Sequence, residues 1–182
     1  MINHPITHQQ VKELMYYDRK TGKMFWRHRT DKYIKRDCSR KSWNTKYAGN
    51  EIKSIDGKGY YFASVFGKQY GLHRLVWFYV YGKWPKIIDH INHDKLDNKL
   101  CNLRSVTVQQ NNMNRRISAN NTSGVFGVYL NKKKNLWCAQ MKFNGKTYHL
   151  GSSKNKDEAI KLRKAEEQRL GFHKNHGGEY EK

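Results

Sequence analysis

The 182-residue chain carries 36 Lys and Arg against 15 Asp and Glu, a formal net charge of +21 spread along its whole length. That excess calls for a polyanionic partner. Nucleic acid comes first, since every cation that neutralises a phosphate releases a condensed counterion, and an anionic membrane surface is the rival. No apolar run approaches the roughly 20 residues of a spanning helix, and MINHPITHQQ lacks the apolar core of a signal peptide, so a cytoplasmic protein that is neither secreted nor membrane-bound is expected.

Cys38, Cys101 and Cys138 are an odd, widely separated set without a C-x-x-C pair, which argues against a disulfide framework and a cysteine zinc site. Hydrophobic residues make up only 37%, but five Trp, twelve Tyr and seven Phe supply large apolar area per residue. Small aromatic-rich cores are expected in place of one large one.

Residues 13 to 27, ELMYYDRKTGKMFWR, read as a helix end running into two short strands about the turn Lys20-Thr21-Gly22-Lys23. Residues 28 to 48 are polar, basic and aperiodic, which predicts a loop. Lys32, Lys35, Arg36, Arg40, Lys41 and Lys46 interleave there with Tyr33 and Trp43, a mixture that suits either phosphate and minor-groove contacts or a disordered basic segment. Residues 59 to 65 and 68 to 72 flank Phe66-Gly67 as a hairpin. Residues 73 to 81 place apolar side chains at helical spacing and stop at Gly82 ahead of Pro85. Residues 116 to 123 form a polar linker. Beyond it three strand-like runs follow, 125 to 130, 136 to 143 and 146 to 151, with Asn144-Gly145 as a two-residue hairpin turn. A helix closes the series, opened by Asn155 with Glu158 at capping-box spacing and ended by Gly171.

The densest set of Asp, His and Asn lies between 87 and 115. A strand ends there with Asp89 and His90 side by side. Asn102 follows twelve residues after His90, residues 103 to 106 form a short strand, and Thr107 is placed to cap a helix with Asn111 one turn inside it. Phosphodiester hydrolysis needs a base for water, a cation for the charge that develops on phosphate, and groups that hold both in line. His90, with an ordinary pKa of about 6.5, suits the base. Asp89 and the amide oxygen of Asn111 are hard donors that suit Mg²⁺ or Mn²⁺. His90-x-x-His93 with Cys101 is the competing zinc reading, but a fourth ligand at suitable spacing is missing, so zinc is not expected.

These residues, DHINHDKLDNKLCNLRSVTVQQNNMN, with GLHRLVWFYVYGKWP ahead of them, resemble the ββα-metal motif of phage-type HNH homing endonucleases in the variant whose last letter is Asn. The resemblance covers residues 13 to 172. It implies a single-metal mechanism with His90 as general base, Asp89 and Asn111 as metal ligands, and Asn102 as the catalytic residue that braces the motif loop and orients His90. His73 and Asn98 fall on recurrent family positions, His73 as a structural or phosphate-contacting residue and Asn98 as a loop stabiliser. Arg74, Arg104 and Arg115 join His73 as expected nucleic-acid contacts.

Residues 123 to 171 resemble the DNA-binding domain of plant ethylene-response factors. Gly124-Val125, Gly127-Val128, Trp137, Ala139, Leu150-Gly151 and Ala159 carry the match. That family lays its sheet in the major groove. Strand alternation puts Trp137, Ala139, Met141 and Phe143 on one face and Cys138, Gln140 and Lys142 on the other. The first set should pack on the helix. Cys138, Gln140 and Lys142, with Tyr129, Lys132, Thr147 and His149, should face DNA, although Lys132-Lys133-Lys134 fits an exposed turn as well as a phosphate clamp. Tyr129 and Gln140 stand where the plant family favours Arg and an acidic residue, so its target sequence does not transfer.

The expected architecture is α+β: a β-rich DNA-contacting region over 1 to 70, a nuclease core over 71 to 116, a linker over 117 to 123, a sheet-plus-helix domain over 124 to 172 and a basic tail over 173 to 182. The expected function is a site-directed, metal-dependent DNA endonuclease acting on double-stranded DNA as a monomer, without a small-molecule substrate, in the host cytoplasm if phage-encoded. The alternatives are a non-catalytic DNA-binding regulator with a silent HNH fold and an RNA-binding protein.

Overall fold

The computed structural model describes residues 6–114, 117, 120–172 and 176–177. It is a mixed α+β chain that divides into two compact units, Met1–Ser105 and Val106–Lys182. The finer division read from the sequence remains an expectation.

In the first unit, α1 (His8–Leu14) is opened by a capping box. The Thr7 hydroxyl accepts from the Gln10 backbone N–H while the Gln10 side chain accepts from Thr7 N–H. The antiparallel pair β1 (Met15–Asp18) and β2 (Lys23–Trp26) follows, then α2 (Asp37–Tyr47). A three-stranded sheet of β3 (Ser54–Ile55), β4 (Tyr61–Val65) and β5 (Lys68–Gly71) leads into α3 (Leu72–Tyr81). Gly82, at φ 68°, ends α3 as a left-handed cap. The strands β6 (Ile88–His90) and β7 (Leu103–Ser105) then pair antiparallel, setting Asp89 opposite Arg104 and His90 opposite Leu103.

The core of this unit gathers Val11 and Leu14 of α1, Met15, Tyr17 and Met24 of the first hairpin, Ala63 and Val65 of β4, and Leu72, Leu75, Val76 and Phe78 of α3. Each fully buried Leu, Val or Met contributes about 1.5–3 kcal/mol. α3 is the element that ties this core to the site, since its buried stripe holds the helix in place while its first turn carries His73.

The basic stretch 28 to 48 departs from expectation. Instead of a loop throughout, it contains the eleven-residue helix α2, none of whose residues is buried. Its anchor is polar and aromatic. The Arg29 guanidinium lies between the rings of Trp26 and Trp43, 5.0 and 4.4 Å from their centroids, and the Asn44 amide bonds both the N–H and the carbonyl of Arg29. Burial pushes the Arg29 pKa down to about 10. No apolar periodicity announces a helix held in this way.

The second unit opens with α4 (Val108–Asn112), capped by Thr107 through a reciprocal box with Gln110. A meander of β8 (Val128–Asn131), β9 (Leu136–Phe143) and β10 (Lys146–Ser153) carries α5 (Lys156–Arg169) on one face. Trp137, Val125, Leu150 and Ile160 close around Val128, Ala139 and Ala159. The opening of α5 differs from the expected capping box. Asn155 accepts from Asp157 N–H, but Glu158 takes the Ser153 hydroxyl instead of reaching back to Asn155. Within α5, Arg163 donates to Glu167 at 2.9 Å with both side chains buried, and its Nη1 donates to the Gln140 carbonyl at 3.2 Å. Gly127, at φ 69°, lets the chain cross so close to this point that a Cβ there would stand 2.1 Å from the Gln140 oxygen.

Candidate active site

The β6–β7 pair sets Asp89 and His90 at the end of a strand, both under 10% exposed. A loop braced by short polar side chains follows. The Asn102 amide oxygen accepts from Asn92 N–H at 2.9 Å and its Nδ2 donates to the Asp97 carbonyl at 2.8 Å, while Ile91 N–H donates to the Asn102 carbonyl. Asp94 and Asp97 each fold back on a backbone N–H two residues on. Asn102 thus ties residues 91, 92 and 97 of the loop together.

The contact that orients the imidazole comes from Asn98. His90 Nε2–H donates to Asn98 Oδ1 at 3.2 Å, and Asn98 Nδ2 donates to the Leu96 carbonyl. With the proton on Nε2, the neutral ring carries its basic lone pair on Nδ1. Burial lowers the His90 pKa, against an upward pull from Asn98 and the nearby carboxylates of Asp89, Asp94 and Asp97. The base is therefore unprotonated at neutral pH.

Asn98 is itself held from behind. Tyr17 OH donates to its carbonyl at 3.0 Å, and burial raises that phenol to about 12. Gly22, at φ 76°, brings the β1–β2 turn so close that a Cβ would lie 2.6 Å from Lys99 N. The first hairpin acts as a buttress for the residue that holds the base.

The other wall is aromatic. The His73 ring lies 5.3 Å from that of His90 and 4.8 Å from that of Tyr60, and Lys95 Nζ sits 4.9 Å over the Tyr60 ring while donating to the Lys58 carbonyl. Burial, with the neighbouring His90, pushes the His73 pKa down to about 4. Its Nδ1 is buried without a hydrogen-bond partner among the described residues. Sequence reasoning missed Tyr60 and Lys95, which come from a separate hairpin and from the far side of the loop.

Asp89 Oδ2 accepts from both Arg104 Nε at 2.9 Å and Nη2 at 2.7 Å. This buried carboxylate thus has a cation beside it from within the fold. The Asp89 carboxylate is by its chemistry a hard oxygen donor. Asn111 is on α4, in the second unit. Among the described residues no three His, Cys, Asp or Glu side chains converge as a ligand cluster, and Cys38, Cys101 and Cys138 are all unpaired.

Of the expected nucleic-acid contacts, His73 and Arg104 sit in the site itself. Arg74 donates to the Pro85 and Lys86 carbonyls, fastening the segment that leads into β6. Arg115 lies outside the described residues. In the second unit the register puts Tyr129 opposite Cys138, His149 opposite Gln140 and Thr147 opposite Lys142, so these side chains share one sheet face. Tyr129, Lys142, Thr147 and His149 are exposed, Lys132 is exposed in the turn after β8, and Cys138 is buried.

Residues 70–113 match the family profile described as HNH endonuclease. The chain is 33% identical over 82 residues to protein 3.8 of Escherichia phage T7, covering 44% of this chain and 68% of that protein. It is 34% identical over 94 residues to the uncharacterized HNH endonuclease L560 of Acanthamoeba polyphaga mimivirus, covering 50% of this chain and 48% of that protein. No solved structure matches the chain significantly.

Proposed function

The chain belongs to the family of phage T7 protein 3.8 and carries an HNH endonuclease domain over residues 70–113, and from that premise we propose that it is a metal-dependent endonuclease of double-stranded DNA, of the phage homing type. The observation that carries the reading is the fixed imidazole: His90 is buried, its pKa is lowered by that burial, and its Nε2 is held by Asn98.

His90 Nδ1 takes a proton from water, the water oxygen bonds to phosphorus, and the bond from phosphorus to the leaving sugar oxygen breaks, with that oxygen gaining a proton from solvent. Asp89 and Asn111 are the proposed ligands of Mg²⁺ or Mn²⁺, which when bound stabilises charge on the phosphate and the leaving oxygen. Asn98 and Asn102 are positioning residues, one for the ring and one for the loop. Arg104, bonded to Asp89, is placed to turn toward a phosphate when Asp89 takes another cation. The three-stranded sheet with its helix is proposed as an ethylene-response-factor-like reader that presents Tyr129, Gln140, Lys142, Thr147 and His149 to the major groove.

The test is conversion of supercoiled plasmid to nicked or linear DNA with Mg²⁺ or Mn²⁺, blocked by a chelator. Product that forms equally well under chelation would overturn the metal assignment. A chain that binds DNA tightly and never cuts it would leave a regulator in place of an enzyme.

A further inference from the structure

Two hairpins of this protein turn on the same backbone. In the turn between β9 and β10, Asn144 and Gly145 have φ 49° and 78°; in the turn between β4 and β5, Phe66 and Gly67 have φ 51° and 75°. Asn is well suited to this left-handed position, and a bulky aromatic is an outlier there. Among the described residues Phe66 is the one Phe, Tyr or Trp with positive φ. Burial does not account for it, since Phe66 is 56% exposed. Strain that folding does not require points to use.

The surroundings say what use. Tyr33 stacks against Phe66 at 6.0 Å with the planes 27° apart, and the Tyr33 hydroxyl donates to Glu13. The ring on the turn is thus backed by a second ring. Lys35 and Arg36 follow Tyr33 in the chain, both exposed, Lys32 precedes it and is paired with the same Glu13, and Lys68 follows the turn. An apolar ring projecting from a cationic rim matches a wedge that enters a base step while its rim holds the phosphates. β5 runs from this turn directly into α3, whose His73 touches His90. Strand rise carries the chain about 17 Å from Phe66 to the end of β5 at Gly71, the length of about five base-pair steps.

We propose that Phe66, backed by Tyr33, is a DNA wedge that unstacks a base step of the bound duplex a few base pairs from the bond to be cut. The inference rests on the endonuclease reading above. F66N is the decisive variant, because Asn-Gly favours this turn and keeps the hairpin while removing the ring; F66Y keeps the ring.

Binding is measured in chelator, so that cleavage plays no part, on end-labelled duplexes with and without a central mismatch, with energy transfer between the ends reporting bending. The wild-type protein should prefer the mismatched duplex and bend it. F66N should melt no lower than wild type, lose the preference and the bend, and bind between about fivefold and a hundredfold more weakly, the range for loss of one aromatic–base stack. F66Y should behave as wild type. F66N that binds and bends as wild type overturns the wedge and leaves the endonuclease reading standing. A marked fall in F66N melting temperature reassigns Phe66 to packing on Tyr33, and loss of self-association in F66N reassigns it to a contact between copies. A wild-type chain that binds no duplex overturns both readings.

Discussion

In the first unit the buried ionisable groups include Arg29, Asp89 and His90, with the half-buried His73 packed against His90, set beside a broad core built from α1, two hairpins and α3. In the second they include Arg163 and Glu167, bonded to each other inside one helix, and His176, 3.4 Å from Glu167, over a core centred on Val128, Ala139 and Ala159. The apolar contacts of the first unit are extensive enough to hold an unpartnered imidazole nitrogen on His73. The second unit has less apolar surface to draw on, and its buried charges are bonded to one another, to Lys164 and to the Gln140 carbonyl. Loss of a buried charge should therefore cost chemistry in the first unit and the fold in the second.

The largest effect is expected from His90→Ala, which should lower plasmid cleavage by about 10²- to 10⁴-fold with DNA affinity nearly unchanged. A variant that keeps more than about a tenth of wild-type turnover would remove His90 from the role of base. On the other side of the comparison, Arg163→Ala leaves Glu167 charged and buried, and should destabilise the second unit by about 3–5 kcal/mol. Hydrogen exchange would show it as lost protection in β9 with protection in α3 preserved. The paired change Arg163→Met with Glu167→Leu should recover most of that loss; if it does not, the ion pair is not what the single variant breaks.

A third prediction concerns pH. The folded-state pKa of His73 lies near 4 while the unfolded chain titrates near the ordinary value of 6.5, so between these values the unfolded state binds the extra proton and stability falls as pH falls. Up to about 3 kcal/mol is at stake in the first unit, and the lowered pKa of His90 adds in the same direction. Urea unfolding at pH 7 and pH 4.5 reads it, and His73→Asn should flatten the difference. Unchanged pH dependence in that variant would assign the acid sensitivity elsewhere.

The smallest effect compares two glycines. Gly22→Ala and Gly49→Ala both place a side chain at positive φ, but only at Gly22 does the new Cβ meet a neighbour, the Lys99 backbone, whereas nothing lies within 4 Å at Gly49. Gly49→Ala should lose about 1 kcal/mol of stability from strain, and Gly22→Ala more, because its Cβ also meets backbone. Turnover should fall several-fold for Gly22→Ala alone, because the displaced segment includes Asn98. Equal turnover in the two variants would show that the first hairpin does not support the base.

What was legible in the sequence was local. Asn144-Gly145, the Thr107 cap, the Gly82 and Gly171 stops and the Asp89-His90 strand end are each written in a few adjacent residues, and each stands where the pattern put it. The side-chain partners were not legible, because they arrive through the fold. Asn98 and Asn102 are chemically alike and four residues apart, and only the course of the loop decides that the first meets the imidazole. Tyr60, just ahead of β4, reaches His90 because β5 and α3 bring His73 back beside it. Arg163 and Glu167, at i and i+4, read as an ordinary solvated pair until the crossing at Gly127 covers them.

The anchoring of α2 has a consequence for the time the helix spends in place. It contributes no buried residue, and its links to the body run through Trp43 and Asn44, to Trp26 and Arg29. Segments with so few buried contacts open in isolation at a small fraction of the free energy of global unfolding. Amide hydrogens of α2 should then exchange with solvent deuterium well before those of α3, in a sub-global event that leaves the buried core intact. A duplex whose phosphates engage Lys41 or Lys46 would bind the closed form and suppress that opening, so protection gained in α2 on adding DNA would report occupancy of this helix independently of any bond being cut.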